Sequence, residues 1–142
     1  MKRMSPEECK AFLMAAPRTA KLATVRADGR PHVAPIWFWL DGDTLLFTTW
    51  HESVKARNMR RDPRVSLCVD DEQPPFSFVL VDGEASFDDD ADALRHWATR
   101  IGGRYMGADQ ADAFGRRNSV AGELLVRVAI TKLLGQTDVS GW

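Results

Sequence analysis

Thr48-Thr49-Trp50-His51-Glu52-Ser53-Val54-Lys55-Ala56-Arg57-Asn58-Met59-Arg60-Arg61-Asp62-Pro63-Arg64-Val65-Ser66-Leu67 reads as a strand end, a tight entry, a short helix, a sharp stop and a new strand. Ser53 suits the N-cap, because its hydroxyl can accept from backbone N–H groups that lack a partner inside the helix. Asp62 precedes Pro63, which pushes it out of the α region and ends the helix there. The helix spans roughly eight residues, too few to be stable alone, so packing or a ligand must hold it. Lys55, Arg57, Arg60 and Arg61 are basic, and no acid lies between Ser53 and Arg61. Arg60 and Arg61 suit the negative end of the helix dipole, whereas Lys55 sits in the first turn beside the positive end. A bound anion would reverse that sign. Free amides, the hydroxyls of Ser53, Thr48 and Thr49, and Lys55 would then converge on one phosphate. The alternative is a basic helix that is merely solvated.

The chain has 142 residues, 44% of them hydrophobic, which is enough for one domain with a real core. A net charge of −1 gives no global pull toward nucleic acid or an anionic membrane. Cys9 and Cys68 share no metal-ligand spacing and read as free thiols in a reducing cytoplasm. No apolar signal segment or bilayer-length run is visible.

Ser5 to Ala16 reads as a helix, with Ser5 as cap, Pro6 in the first turn, and Glu7 and Glu8 at the positive end. From Thr19 the period changes to two. Thr19–Arg26 is a strand, Asp28-Gly29 a hairpin turn, Arg30–Leu40 a second strand and Leu45–Thr49 a third, together a three-stranded meander. Arg64–Val69 is the fourth strand, and Asp70 to Pro75 a loop. Phe76–Phe87 is a long strand whose Asp82-Gly83 marks either a bulge or a second hairpin. Asp88-Asp89-Asp90 caps a helix with Leu94, Trp97, Ala98 and Ile101 on one face, which Gly102-Gly103 should end. A short helical piece over Ala108–Phe114 and a last strand over Glu123–Leu133 follow. Hairpin-linked strands with inserted helices indicate a small antiparallel barrel rather than a sandwich. Leu45-Leu46-Phe47 and Val79-Leu80-Val81 are apolar on both faces, which demands helices outside the barrel or a partner subunit.

Pro31-His32-Val33-Ala34-Pro35-Ile36-Trp37-Phe38-Trp39 carries two prolines, so the segment is an edge or is bulged. Free edge groups can bond the rim of a flat heterocycle, and Trp37 and Trp39 share a side in a regular strand. The alternative is that these aromatics are core or dimer interface. His32, His51 and His96 share no metal spacing. There is no P-loop, GxGxxG, nucleophile elbow or catalytic triad. A phosphate site beside an aromatic, proline-interrupted edge suits a phosphorylated flat cofactor, which brings its own hydride chemistry and needs no dedicated catalytic side chain.

Ala27-Asp28-Gly29-Arg30-Pro31-His32-Val33-Ala34-Pro35, followed by Ser53 to Val65 with its K-x-x-N-x-x-x-D-P-R spacing, resembles the pyridoxamine 5′-phosphate oxidase-like split-barrel superfamily. Within it the likeness is to the actinobacterial branch of deazaflavin (coenzyme F420)-dependent oxidoreductases, and it runs from about Phe12 to Gly135. The resemblance implies a mainly β fold: a single domain over residues 1–142, a six-stranded antiparallel split barrel with inserted helices. It also implies a homodimer with cofactor sites in the subunit interface. By position, Lys55, Ser53 and Thr48 would contact the cofactor phosphate, with Thr49 beside them. The run His32, Val33, Pro35, Ile36 and Trp37 would follow the ring system, and Phe76 would reach the partner's site. Ser53 departs from relatives that carry arginine there, so Arg57 or a partner residue would supply the missing charge. The implied function is transfer of a hydride from reduced coenzyme F420 to an electron-poor small molecule. The rivals are an FMN-dependent oxidoreductase of the pyridoxamine phosphate oxidase type and a non-catalytic cofactor- or heme-binding protein. A pyridoxamine phosphate oxidase would need more basic residues than the single lysine between Lys132 and Trp142.

Overall fold

A computed structural model describes residues 1–141. The elements run β1 (Lys2–Arg3), α1 (Pro6–Ala15), β2 (Ala20–Val25), β3 (Pro31–Ile36), β4 (Trp39–Asp41), β5 (Thr44–Trp50) and α2 (Val54–Arg61). They continue with β6 (Arg64–Asp71), β7 (Ser77–Asp88), α3 (Ala91–Met106), a single 3-10 turn, α4 (Ala111–Arg117) and β8 (Glu123–Thr137). The strands form one antiparallel sheet in the order β3-β2-β6-β7-β8-β5-β4, with β1 on β8. Six strands were expected, and the sheet has more because two short segments, β1 and β4, pair separately.

The three-stranded meander is not what forms. The run Arg30–Leu40 breaks at Trp37-Phe38, so β3 pairs with β2 while β4 pairs with β5. The two halves of one expected strand thus become the two ends of the ladder, and the barrel is split there rather than closed. The break is held open by distant residues of α3. Pro35 has no N–H to donate. The Phe38 amide donates instead to the Tyr105 hydroxyl at 3.2 Å, and the Phe38 carbonyl accepts from Arg104 Nη1 at 2.6 Å.

The inner faces make one core, with Phe38, Phe47, Leu22, Leu45, Leu67, Val69, Val79 and Val81 fully or nearly fully buried. Cys9 and Leu13 of α1 close one end of it. A capping box fixes the start of α1: Ser5 Oγ accepts from the Glu8 amide at 3.1 Å, and Glu8 Oε1 accepts from the Ser5 amide at 2.9 Å. The opposite face of β5 explains the consecutive apolar residues there. Leu46 packs with Leu125 and Trp97 beneath α3, so that part of the sheet is buried on both sides. In β7 the register shifts between Asp82 and Gly83, which makes the dipeptide a bulge and not a hairpin.

The expected stop at Gly102-Gly103 is overturned. The helix α3 continues to Met106 and ends at Gly107, whose φ of 102° only glycine adopts easily. Gly102 and Gly103 instead make room for α4: a Cβ on Gly102 would lie 2.6 Å from the Phe114 Cβ. Two small residues inside a helix mark a close helix contact as readily as a helix end. Ala in place of Gly102 gains up to ~1 kcal/mol of helix propensity but forces an overlap that costs about 1–3 kcal/mol. Gly102→Ala is therefore expected to lower the melting temperature by roughly 3 °C, as followed by circular dichroism. An increase would mean that α4 does not lie on α3.

Candidate functional site

The eight residues of α2 are held by their inner side. Met59 joins the main core, and Asn58 is only 4% exposed. Asn58 Nδ2 donates to Thr24 Oγ1 at 3.0 Å, and Arg61 Nη2 donates to Asn58 Oδ1 at 2.9 Å and to Val25 O at 3.0 Å. Arg61 thus docks the helix on β2, a role beyond suiting the dipole. Asp62 caps the end and grips Arg64 through both carboxylate oxygens, at 3.0 and 2.7 Å. That bidentate contact lowers the Asp62 pKa to about 2.

The outer side of the helix start faces a cleft of about 490 Å³. Ser53 caps α2 by accepting from the Ala56 amide at 3.1 Å, and its hydroxyl shares a 2.8 Å hydrogen bond with Thr49 Oγ1. The amides of Val54 and Lys55 meet no acceptor among the described residues. Thr48, Thr49, Ser53 and Lys55 line one end of the cleft, and Pro35, Ile36 and Trp37 another wall. Ala98 and Ile101 of α3 form the floor, and Trp50, Arg117, Asn118 and Glu123 complete the mouth.

The aromatic wall is braced from behind. Trp37 stacks on Tyr105 with centroids 5.1 Å apart and planes 3° apart, and it touches Phe114 at 5.8 Å. The Tyr105 hydroxyl donates to Arg18 O at 2.8 Å. Arg104 donates to Leu13 O and Ala16 O as well as to Phe38 O, so one guanidinium ties α1, α3 and the β3–β4 break together. Burial pushes the Tyr105 phenol up from its usual pKa and pulls Arg104 down. Trp39 turns to the same helices, packing on Trp97 and beneath Arg100.

Seven of the expected positions, Pro35, Ile36, Trp37, Thr48, Thr49, Ser53 and Lys55, meet in this cleft. His32, Val33 and Phe76 do not line it. Val33 shares the outer face of β3 with Pro35 but lies one pair further along the strand, outside the lining, and is 66% exposed. His32 lies beside Thr24 with Nδ1 buried and unpartnered. Phe76 stands exposed in the β6–β7 turn with a positive φ of 63°. Arg57 is exposed and outside the lining, so Arg117 of α4 is the second cation of the cleft. Sequence reasoning missed Trp50, Ala98, Ile101, Arg117, Asn118 and Glu123. Ala98 and Ile101 were legible as an apolar stripe, and Glu123 follows once the last strand is paired to the one ending at Trp50. Arg117 and Asn118 carry no local signal, because the α3–α4 contact alone brings them there.

Fold and cleft define a split-barrel protein in which a helix start with unpaired amides faces an aromatic strand end. A family model described as pyridoxamine 5′-phosphate oxidase matches residues 5–133, and the chain belongs to that family. A pyridoxine/pyridoxamine 5′-phosphate oxidase of Myxococcus xanthus is 33% identical over 103 residues, which is 72% of this chain and 50% of that protein. The chain thus spans about half the length of the curated relatives it matches. Among solved structures, a conserved hypothetical protein of Mycobacterium tuberculosis superposes with a TM-score of 0.80 at 28% identity, covering 92% of this chain and 82% of that one. A protein described as an F420 reductase gives 0.68 at 29% identity, covering 87% and 94%.

The brace behind Trp37 is open to test. Tyr105→Phe keeps the stack but leaves the Phe38 amide and Arg18 carbonyl without their partner. It is expected to cost about 1–3 kcal/mol in urea denaturation, and Tyr105→Ala, which also removes the stack, more. Equal stability of all three proteins would show that the brace is idle.

Proposed function

We propose that the chain is an oxidoreductase that binds a phosphorylated flavin or deazaflavin in this cleft, with reduced coenzyme F420 as the hydride source for an electron-poor small molecule. One observation carries the reading: hydroxyls, free amides and a lysine gather at a helix start, and a flat aromatic wall stands across the same cleft. The donor set fits a phosphoryl group. Lys55 supplies a charge, the Val54 and Lys55 amides supply directed donors, and the helix dipole favours an anion there. The wall of Pro35 to Trp37 fits a planar ring, and its edge backbone can bond the ring's polar rim. The ring system itself supplies the hydride when bound. The protein's own residues bind the phosphate, orient the ring and shield one of its faces.

FMN is the second reading, favoured by the name of the Myxococcus relative. The likeness to a structure described as an F420 reductase favours the first. Titrating the purified chain with FMN and with coenzyme F420 side by side, by fluorescence quenching, decides between them. Failure of both to bind would remove the reading. Lys55→Ala is expected to weaken phosphorylated-ligand binding by about 1–3 kcal/mol, with a nearly unchanged melting temperature because the Lys55 side chain forms no ion pair among the described residues. An unchanged dissociation constant would exclude Lys55 from the site.

The reading extends to a homodimer. Val33, Leu80 and Phe76 are exposed apolar residues, and the pairing register places Val33 and Leu80 on one outer face of the sheet with Pro35. A second copy seated there would bring its own Phe76 toward the cleft mouth. Sedimentation should find a dimer, and Leu80→Asp a monomer; a monomeric native chain would refute it.

A further inference from the structure

The cleft that holds Lys55 also holds an acid. Glu123 opens β8 directly across from Trp50 and lines the cleft with Lys55, Arg117 and Asn118. Its backbone is fixed on both sides. Its own amide donates to Val120 O at 3.0 Å. The carbonyl of Gly122 accepts from the His51 amide at 2.8 Å and from His51 Nδ1 at 3.0 Å. Gly122 stands at a φ of 99°, so close under the Trp50 ring that a Cβ would lie 2.5 Å from it. The Glu123 side chain therefore enters the cleft from a rigid point.

Its carboxylate has charges within reach but no partner. Among the described residues it forms no ion pair and accepts no side-chain hydrogen bond. Burial pushes its pKa up, and Arg117 from α4, Lys55 from α2 and His51 from the β5–α2 turn pull it back. His51 in turn faces Glu52, at 3.5 Å from Nε2. A carboxylate in an anion-binding cleft works against anion binding unless it serves to discriminate. The fixed charges that line the cleft are Lys55, Arg117 and Glu123, two cations and one anion, a net of one positive charge. A phosphodiester carries a single negative charge and balances that site. A phosphomonoester carries about −1.5 to −2 near neutral pH and places its surplus charge beside Glu123.

We propose that Glu123 selects the phosphorylated ligand by charge, admitting a ring cofactor whose phosphate is a diester and disfavouring one whose phosphate is a monoester. The proposal rests on the cofactor reading of the cleft. It separates the two candidate cofactors by their chemistry, since coenzyme F420 carries its phosphate as a diester and FMN as a monoester. Discrimination by an unpaired carboxylate is a repulsive device, and it needs no contact that differs between the two rings.

The test measures dissociation constants of FMN, coenzyme F420 and riboflavin by fluorescence quenching, near neutral pH, for the native chain, Glu123→Gln and Glu123→Asp. Glu123→Gln should tighten FMN binding by about tenfold, the scale of one charge–charge contact in a partly solvated cleft. It should tighten coenzyme F420, whose phosphate carries one charge rather than nearly two, by a smaller factor, and leave riboflavin, which has no phosphate, unchanged. Glu123→Asp, which keeps the charge, should retain the native preference. If Glu123→Gln tightens FMN no more than coenzyme F420, or alters none of the three, the selection is not made by Glu123 and the proposal falls while the cofactor reading stands. If neither phosphorylated ligand binds any of the three proteins, the cofactor reading falls and takes the proposal with it.

Discussion

An eight-residue helix with four cations has no stability of its own. Everything at the cleft depends on what holds it. Burying Met59 contributes roughly 1.5–3 kcal/mol, and the Thr24–Asn58–Arg61 chain of hydrogen bonds sets the rotation of the helix on β2. That rotation puts Asn58 inward and Lys55 outward. The K-x-x-N spacing is thereby one device with two faces: the asparagine anchors the helix so that the lysine, three residues earlier, points at the cleft. The cations that looked excessive in sequence divide the same way. Arg61 serves the dock, Arg60 donates to His51 O at 3.0 Å, and Lys55 is left for the cleft.

The second constraint is the break in the chain at Trp37-Phe38. A strand that continued there would pair along its length and close one edge. Instead the Phe38 amide and carbonyl are claimed by Tyr105 and Arg104 from α3. Phe38 is then free to plunge into the core while Trp37 and Trp39 turn out to the helices. At the break the backbone leaves the ladder, and the cleft opens where β3 ends. The interruption that splits the barrel is also what builds the aromatic wall.

Most strands and the cap, length and stop of α2 were legible, because they rest on local chemistry: alternation, Ser53, Asp62-Pro63, Asp28-Gly29. The helical face of Leu94, Trp97, Ala98 and Ile101 was legible for the same reason. What failed was decided at a distance. Gly102-Gly103 carries the composition of a helix end, and only the approach of Phe114 shows that the glycines serve packing. The run Arg30–Leu40 alternates like one strand, and only Arg104 and Tyr105, more than sixty residues later in the chain, divide it. The helical half of the cleft was readable since Ser53 and Lys55 share one turn. The Arg117–Glu123 half was not, since two antiparallel pairings and a helix contact bring it there.

These halves have different mechanical standing. The α2 side is fixed by core burial and a buried hydrogen-bond chain, so its donors stay put whether or not an anion is present. The Glu123 side is fixed through Gly122, whose carbonyl accepts from the amide and Nδ1 of His51 and whose α-carbon lies against Trp50. Trp50 and His51 are the residues that lead into α2. Once the β5–β8 pairing has brought Glu123 opposite Trp50, the acid and the lysine are therefore referenced to the same few residues of backbone. A cleft in which opposing charges share a single rigid reference can weigh one negative charge against two. Were the acid carried by a mobile loop, it would swing to the nearest cation, pair with it, and cease to discriminate.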